Sequence, residues 1–444
     1  MNQLRKRLTL WGLTMIAVGS CIGSGIFLTP YKIVEALPHH GFVLLVWAVG
    51  GLIALTGALT FAELGSMFPK AGGVYVFLRE AYGELTGFLY GWVILLVVNT
   101  GALAALGVGF ALYMSFFLPD LSANAQLGLA VGTIAGLTAI NCVGVQFSQG
   151  MAKLFTGLKL AAIAGIILVG ILYYEPQAVN LHFSLSDDRP AHLFSALLVA
   201  LIGVLWSFGG WHHATYVAGE AIDPQRTVPR AMILGALIVT VTYVLVNLAY
   251  MMLLPLPGIA GSQRVAGDAV ATIFPWGGKA VAIGIAVSIF GTIAIYTMSA
   301  PRIYFAMARD GLFFSQLAYV HPRLQTPINA MIVQAVWAVI LLLFWGTFED
   351  LITYVTFMDI VFMTMTGAAV FWFRYRRPEH PRPYRTWGYP VTPLIFVAIS
   401  GAFVLNTFLE RPAQAWAGLI LLGTGIFVYL FFRIQKRKTH AKTN

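Results

Sequence analysis

Of the 444 residues, 59% are hydrophobic and only 10% are charged, and the mean hydropathy is +0.81. A water-soluble domain carries about 25% charge, so a soluble globular protein is excluded. The formal net charge of +10 suggests a nucleic-acid ligand, but the placement of the basic residues argues against one.

Apolar runs of about 20 residues, long enough to cross a bilayer, recur along the chain. Twelve spans are predicted, over 10–36, 41–65, 86–117, 125–145, 150–173, 193–217, 230–254, 277–300, 329–346, 351–373, 391–408 and 413–432. The connections are short, so the expectation is one polytopic, all-α membrane domain over 1–444. The first run is too long for a cleavable signal peptide and lacks a small-residue cleavage site. With both termini in the cytoplasm, 21 of the 27 Lys and Arg fall on the cytoplasmic side. Only Lys32, Arg189, Arg264, Lys279 and Arg411 fall outside, which is the positive-inside pattern. Lys159 is left over, deep in span 5.

Span 1 carries "VGSCIGSGIF" (18–27) at its centre. Interior glycines weaken a helix, and broken backbone in lipid is tolerated only where it lines a protein cavity. Span 6 repeats the feature in "LLVALIGVLWSFGGWHHATYVAGE", with Gly209, Gly210, His212 and His213 at mid-span. Spans 1 and 6 open two groups of five. Five is odd, so the second group must run inverted, with spans 11 and 12 appended. The predicted repeats are 10–173 and 193–373, followed by two helices over 391–432. Matched interruptions of this kind point to a binding site at mid-membrane. Close helix packing through small residues is the alternative.

A break in span 1 leaves the amides of Ser24, Gly25 and Ile26 at the start of a half-helix, where an anion binds. The other half-helices end in carbonyls, near Cys21 in span 1 and Trp206 to Gly209 in span 6, which accept from an ammonium. Amides on one side and carbonyls on the other suit an amino acid.

The remaining candidates follow along the chain. His39 and His40 are expected in a wet external loop. Adjacent histidines lack the i, i+3 or i+4 spacing of helical metal ligands, so no metal site and no cofactor are predicted. Glu63, near the cytoplasmic end of span 2, is expected to be structural. His212 is a candidate to line the site, and His213 points elsewhere and packs. Glu220 pairs with Arg226 or Arg230 at an inner gate, or serves only the entry to the next helix. Asp359, in span 10, takes up a proton, pairs with a cation, or bonds hydroxyls near Thr364. Cys21 and Cys142 are the only cysteines, neither lies in an external loop, and no Asn-x-Ser/Thr sequon occurs. The cysteines predict no disulfide framework, and the missing sequon favours a bacterial inner membrane over a eukaryotic surface. A membrane-embedded enzyme would need a convergent nucleophile–base pair or metal cluster, and none is visible.

Several segments together resemble the amino acid–polyamine–organocation superfamily over nearly the whole chain. They are "IGSGIF" (22–27), "FAELGSMFPKAGGVYVFLREAYG" (61–83), "GLKLAAIAG" (157–165), "GEAIDPQRTVPRA" (219–231) and "YFAMARDGLF" (304–313). "WSFGGWHH" (206–213) is most similar to the F-A-Y-x-G-W-N pattern of L-type amino acid transporters. Trp206 replaces the usual Phe, as in the arginine–agmatine antiporters, and His212 stands where the L-type proteins have Asn. Val74, Ala294 and "SAPR" (299–302) are further departures, the last predicting a kink before Pro301.

The resemblance implies a leucine-transporter-type inverted repeat with alternating access. It implies carboxylate binding by the backbone of Ser24 and Gly25, and amino-group binding by carbonyls of Cys21, Trp206 and Gly209. Trp206 would be the aromatic gate, and Tyr296 falls where the arginine antiporters place a large aromatic. Lys159 would stand in for a structural sodium ion, its ammonium bonding the Gly19 carbonyl and the Ser299 hydroxyl. A snorkelling lysine is the alternative. The external loop "LPDLSANAQ" lacks the Cys that tethers animal L-type proteins to a heavy chain, so no disulfide-linked partner is expected.

The function expected is sodium-independent exchange or uptake of neutral L-amino acids. A proton-coupled symporter and a cationic amino acid or polyamine antiporter are the alternatives. The partners expected are the amino acid and membrane lipid, with no nucleic acid.

Overall fold

The computed structural model describes residues 4–443 apart from 116, 119–120, 178, 180, 185–191 and 345–347. Arg189, assigned above to an external loop, lies outside the described residues. Those described form helices throughout, and the one extended pairing is an isolated parallel bridge between Leu8 and Ala221.

The first run folds as α1 (Leu10–Cys21), α2 (Gly25–Leu28) and α3 (Pro30–Ala36). Thr9 caps α1 by accepting from the Gly12 amide, and the helix stops at Ile22. Pro30 sits in the first turn of α3, where its missing N–H costs nothing. The run is therefore interrupted at 22–24, inside the "IGSG" motif. Next come α4 (His40–Met67), α5 (Val74–Tyr82) and α6 (Glu84–Val93). A π-helical turn over Ile94–Val98 leads into α7 (Asn99–Met114), followed by α8 (Ala123–Cys142) and α9 (Val145–Leu172).

The second group opens with α10 (Leu193–Phe208), which ends at Gly209, and the four-residue α11 (His213–Tyr216) resumes after Gly210. Helices α12 (Pro224–Leu253), α13 (Leu256–Ala260) and α14 (Val265–Ala271) follow. Then come α15 (Gly277–Ser299) and α16 (Pro301–Arg309), separated at Ala300 as the proline requires. The chain closes with α17 (Ile328–Phe344), α18 (Phe348–Arg376), α19 (Val391–Glu410) and α20 (Pro412–Thr443).

Ten segments among the described residues are long and apolar enough to cross a membrane, and α10 and α17 are shorter apolar helices. The chain is an integral membrane protein. Burial follows position in the bundle. The window spanning α1 and α2 is 89% buried, whereas those of α19 and α20 are 28% buried. The interrupted first helix is thus central and the last two are peripheral. It packs against α9, α12 and α15, and the α4–α12 pair is the most extensive contact in the bundle.

Two ion-pair clusters close the end of the bundle at which α4 finishes. Glu63 is fully buried and accepts from Arg374 Nε at 3.0 Å and Nη2 at 2.7 Å, and from the Thr386 amide at 2.7 Å. This is the structural role expected of it. Asp310 takes the Tyr75 hydroxyl at 2.7 Å and the Arg79 guanidinium.

Candidate functional site

The two interruptions lie against each other because small residues let the backbones approach. Gly210 has φ +119°, a conformation side-chain-bearing residues rarely adopt, and a Cβ there would lie 2.6 Å from Ser20 Cβ and 2.8 Å from its carbonyl. A Cβ on Gly25 would lie 2.8 Å from Ser207 Cα. The first helix thus meets α10 and the Gly209–His212 link at two glycine contacts.

Within the first break, the first amide turned into α2 is that of Phe27, which donates to the Ser24 carbonyl at 3.1 Å. The amides of Ser24, Gly25 and Ile26 come before it, in the position of a helix's unpaired first donors. The Ser24 hydroxyl is buried and has no hydrogen-bond partner among the described residues. The carbonyl side differs from expectation. Cys21 O accepts from the Tyr243 hydroxyl at 2.8 Å and from the Gly23 amide at 2.8 Å. The Gly23 amide thus occupies Cys21 O, and the single Tyr243 proton is shared between Cys21 O and Ser207 O. Tyr243 also reaches Ser207 O at 2.8 Å and so ties the two broken helices together. Sequence reasoning missed Tyr243, because it sits in an uninterrupted helix with nothing to mark it. Trp206 O accepts from the Gly209 amide at 3.2 Å.

Beside the second break lies a cavity of about 50 Å³, walled by α4, the π-helical turn with α7, α10–α11, α15, α18 and α19. Of the predicted site residues it brings together Trp206, Gly209, His212 and Tyr296, whereas Cys21, Ser24, Gly25 and Ile26 are not in its lining. The space exceeds the roughly 10–15 Å³ that a single buried water needs.

His213 is a correction. It lines the cavity together with His212 instead of packing away from it. Its Nδ1 shares a 2.7 Å hydrogen bond with the Ser299 hydroxyl, and its ring lies 4.4 Å from that of Tyr296. The π-helical turn also went unforeseen. Such turns cluster at functional sites; here it precedes Asn99, which lines the cavity beside Thr356 and Asp359.

Lys159 is fully buried. Its ammonium donates to Gly19 O at 3.0 Å, Ile22 O at 2.5 Å and Thr292 Oγ1 at 2.8 Å. It joins α9 to the broken end of α1 and to α15, as the resemblance implied. The partner on α15 is Thr292 and not Ser299. Ser299 lies two turns further on, about 10 Å along the axis, and is held by His213 and the Ile295 carbonyl. Three internal acceptors also set aside a snorkelling lysine.

Three further expectations are corrected. Glu220 pairs with Arg302, not with Arg226 or Arg230: Oε1 lies 2.7 Å from Nε and both side chains are 0% exposed. Arg226 instead faces Asp223 at 3.9 Å. Thr364 donates to Ile360 O, its own preceding turn, so it offers Asp359 nothing. His39 and His40 are buried, not wet, because His39 caps α4 through the Gly41 amide and lies 5.1 Å from the Phe42 ring. No group of three or more metal-ligating side chains occurs among the described residues.

A bundle of apolar spans, interrupted helices meeting at glycines and a small cavity at the interruption define a polytopic membrane transporter. The chain belongs to the amino acid permease family, whose sequence pattern matches residues 8–432, and within it to the L-type-like members of the amino acid–polyamine–organocation superfamily. It is 34% identical over 449 residues to the serine/threonine exchanger SteT of Bacillus subtilis, covering 98% of both chains. It is 31% identical over 460 residues to Asc-type amino acid transporter 1 of Homo sapiens, covering 99% of this chain and 85% of that one. Large neutral amino acids transporter small subunit 2 of Homo sapiens is 31% identical over 441 residues, covering 96% and 80%.

Proposed function

We propose that this chain is a sodium-independent exchanger of neutral L-amino acids, working by alternating access. In this reading twelve spans form a five-plus-five inverted repeat over 10–173 and 193–373, with two added helices over 391–432. The protein sits in a cell inner membrane with both termini cytoplasmic. The observation that carries the reading is the pairing of the two breaks, which sets Gly25 against Ser207 of α10 and Gly210 against Ser20 of α1. The amides receive the substrate carboxylate. Trp206 O and Gly209 O receive its amino group, and Cys21 O joins them when Tyr243 releases it. Trp206, at the cavity wall, closes over the bound substrate as a gate, with Tyr296 opposite. The Lys159 ammonium takes the place of a structural sodium ion. The serine/threonine exchanger relative supports the exchange mode. No disulfide-linked heavy chain takes part, since the external loop 118–126 has no Cys.

A second reading, a cationic amino acid or polyamine substrate, draws on one observation: the Asp359 carboxylate faces the cavity. Uptake of labelled amino acid into proteoliposomes decides between them. The exchanger reading expects uptake that rises with amino acid preloaded inside and is equal in sodium, potassium and choline. Uptake driven only by an inward proton gradient would overturn it in favour of symport. Preferential uptake of lysine or agmatine would install the cationic reading.

A further inference from the structure

One wall of the cavity is polar in a way that the backbone site does not use. Asn99 (2% exposed) and Thr356 (4% exposed) both line it, and neither the Asn99 amide oxygen and nitrogen nor the Thr356 hydroxyl has a hydrogen-bond partner among the described residues. Asp359 lies on the same face of α18, three residues from Thr356, and its Oδ1 is likewise buried without a partner. Buried polar groups in native proteins are hydrogen-bonded almost without exception, and leaving one unpaired costs about 1–3 kcal/mol. Four unpaired atoms converging on one small cavity are therefore read as a ligand-binding surface.

The backbone supports this placement. The π-helical turn over Ile94–Val98 immediately precedes Asn99. The Leu96 carbonyl in that turn accepts from the Trp337 indole at 3.0 Å, and the Thr100 hydroxyl bonds back to Leu95 O at 2.6 Å. Groups of the turn are thus held by α17 and by the helix itself, whereas the Asn99 side chain is left for the cavity. The rest of that side of the cavity is apolar, with Ile94, Val98, Ile360 and Met363.

We infer that Asn99, Thr356 and Asp359 form the side-chain subsite of the transporter and select short neutral side chains bearing a hydroxyl or carboxamide over aliphatic isosteres. This rests on the exchanger reading above and adds the substrate class. Three points fix the chemistry. An aliphatic side chain leaves all four polar atoms unpaired. An ammonium only donates, so it leaves the Asn99 NH₂ without an acceptor, whereas a hydroxyl or carboxamide both donates and accepts. Finally, a cavity of about 50 Å³ suits a short side chain better than a long cationic one.

The test uses the full chain in proteoliposomes, with labelled alanine exchanged against internal alanine. Unlabelled L-threonine and L-valine, which differ only by hydroxyl for methyl, compete from outside. The expected result is that threonine competes about tenfold or more better than valine, because a site built to bond a hydroxyl rejects the analogue lacking it. L-Serine should outcompete L-2-aminobutyrate in the same sense. In Thr356→Val and Asp359→Leu the threonine-to-valine ratio should collapse towards unity. The ratio is internal to each variant, so altered expression or turnover does not move it. For a variant that does not transport, the same ratio is read from ligand-induced thermal stabilisation in detergent. Equal competition by threonine and valine in the wild type, or an unchanged ratio in both variants, would overturn the subsite and leave the exchanger reading standing. Stronger competition by lysine than by threonine would overturn it in favour of a cationic side chain. Absence of any amino-acid-dependent alanine exchange would remove the exchanger reading itself, and the subsite with it.

Discussion

Glu220 and Arg302 form an ion pair in which both side chains are entirely buried, with Oε1 2.7 Å from Nε and Oε2 3.4 Å from Nη2. Arg302 also donates to the Met298 carbonyl. The Glu220 backbone carbonyl meanwhile accepts from the amides of Arg7 (2.7 Å) and Leu8 (2.9 Å). One residue thus anchors the N-terminal segment through its backbone and α16 through its side chain.

Removing one partner of such a pair strands a buried charge, which costs roughly 3–5 kcal/mol, whereas replacing both by apolar groups of similar volume is often near neutral. Arg302→Met is therefore expected to lower the melting temperature in detergent sharply. The double variant Glu220→Leu with Arg302→Met should recover most of the loss. A double variant no better than the single one would show that the pair is not an independent unit.

On the same end of the bundle, Glu80 accepts from Arg377 at 3.0 Å and from Arg79 at 3.0 Å. Partial burial pushes its carboxyl up, but the two guanidinium hydrogen bonds outweigh this and hold it below its ordinary value of 4.5. A carboxylate depressed in the folded state contributes stability that is present above the unfolded value and lost as pH falls through the folded one. Melting temperature should therefore drop as pH is lowered below about 4.5, and Glu80→Gln should flatten that limb and lower stability at pH 7. An acid limb of unchanged slope in Glu80→Gln would assign it to other carboxylates.

The glycines separate into two kinds that the sequence does not distinguish. Gly210→Ala combines a positive φ with a Cβ 2.6 Å from Ser20 Cβ, and Gly25→Ala drives a Cβ to 2.8 Å from Ser207 Cα. Both should reduce the yield of monodisperse protein and abolish transport, because the two broken helices can no longer touch. By contrast, a Cβ on Gly128, Gly132 or Gly136 in α8 meets nothing within 4 Å. Alanine there should be tolerated and should raise helix stability by about 0.5–1 kcal/mol. Size-exclusion profiles of the five single variants check this directly.

That contrast shows what was legible. The breaks at 22–24 and at 209–212 were readable because glycine clusters weaken a helix at the centre of an apolar run, where lipid offers the freed backbone nothing to bond. The kink before Pro301 was readable because proline removes a donor. Side-chain partners across the bundle were not. Ser299 and Thr292 lie on one helix, and only the relative height of α9 and α15 decides which of them Lys159 meets. Glu220 finds Arg302, 82 positions away, because α16 begins beside the Ala218–Glu220 turn, and no local spacing announces that. Nor does periodicity signal Tyr243 or the π-helical turn before Asn99, since apolar residues surround both.

Lys159 gives the sharpest test of the proposed coupling. Its ammonium satisfies the carbonyls of Gly19, in the last turn of α1, and of Ile22, at the first break, and reaches across to Thr292. Thr292 Oγ1 is itself within 3.0 Å of Gly19 O and 2.9 Å of Ile22 O. Lys159→Ala leaves these acceptors buried and short of a donor, at about 1–3 kcal/mol for each unsatisfied group. The position of α1 against α9 and α15 is what loosens, while the Ser24–Ile26 amides and the cavity wall keep their residues. Binding of the best substrate should therefore weaken only a few-fold, whereas turnover in proteoliposomes should fall at least tenfold. Thr292→Val, which keeps the ammonium and its two carbonyls, should lie between wild type and Lys159→Ala. Wild-type exchange should be indifferent to replacing sodium by potassium or choline, because a covalently attached cation already occupies the cage. A wild type that requires sodium would overturn this role for Lys159. So would a Lys159→Ala variant with normal turnover, since the cage would then be dispensable to the moving helix.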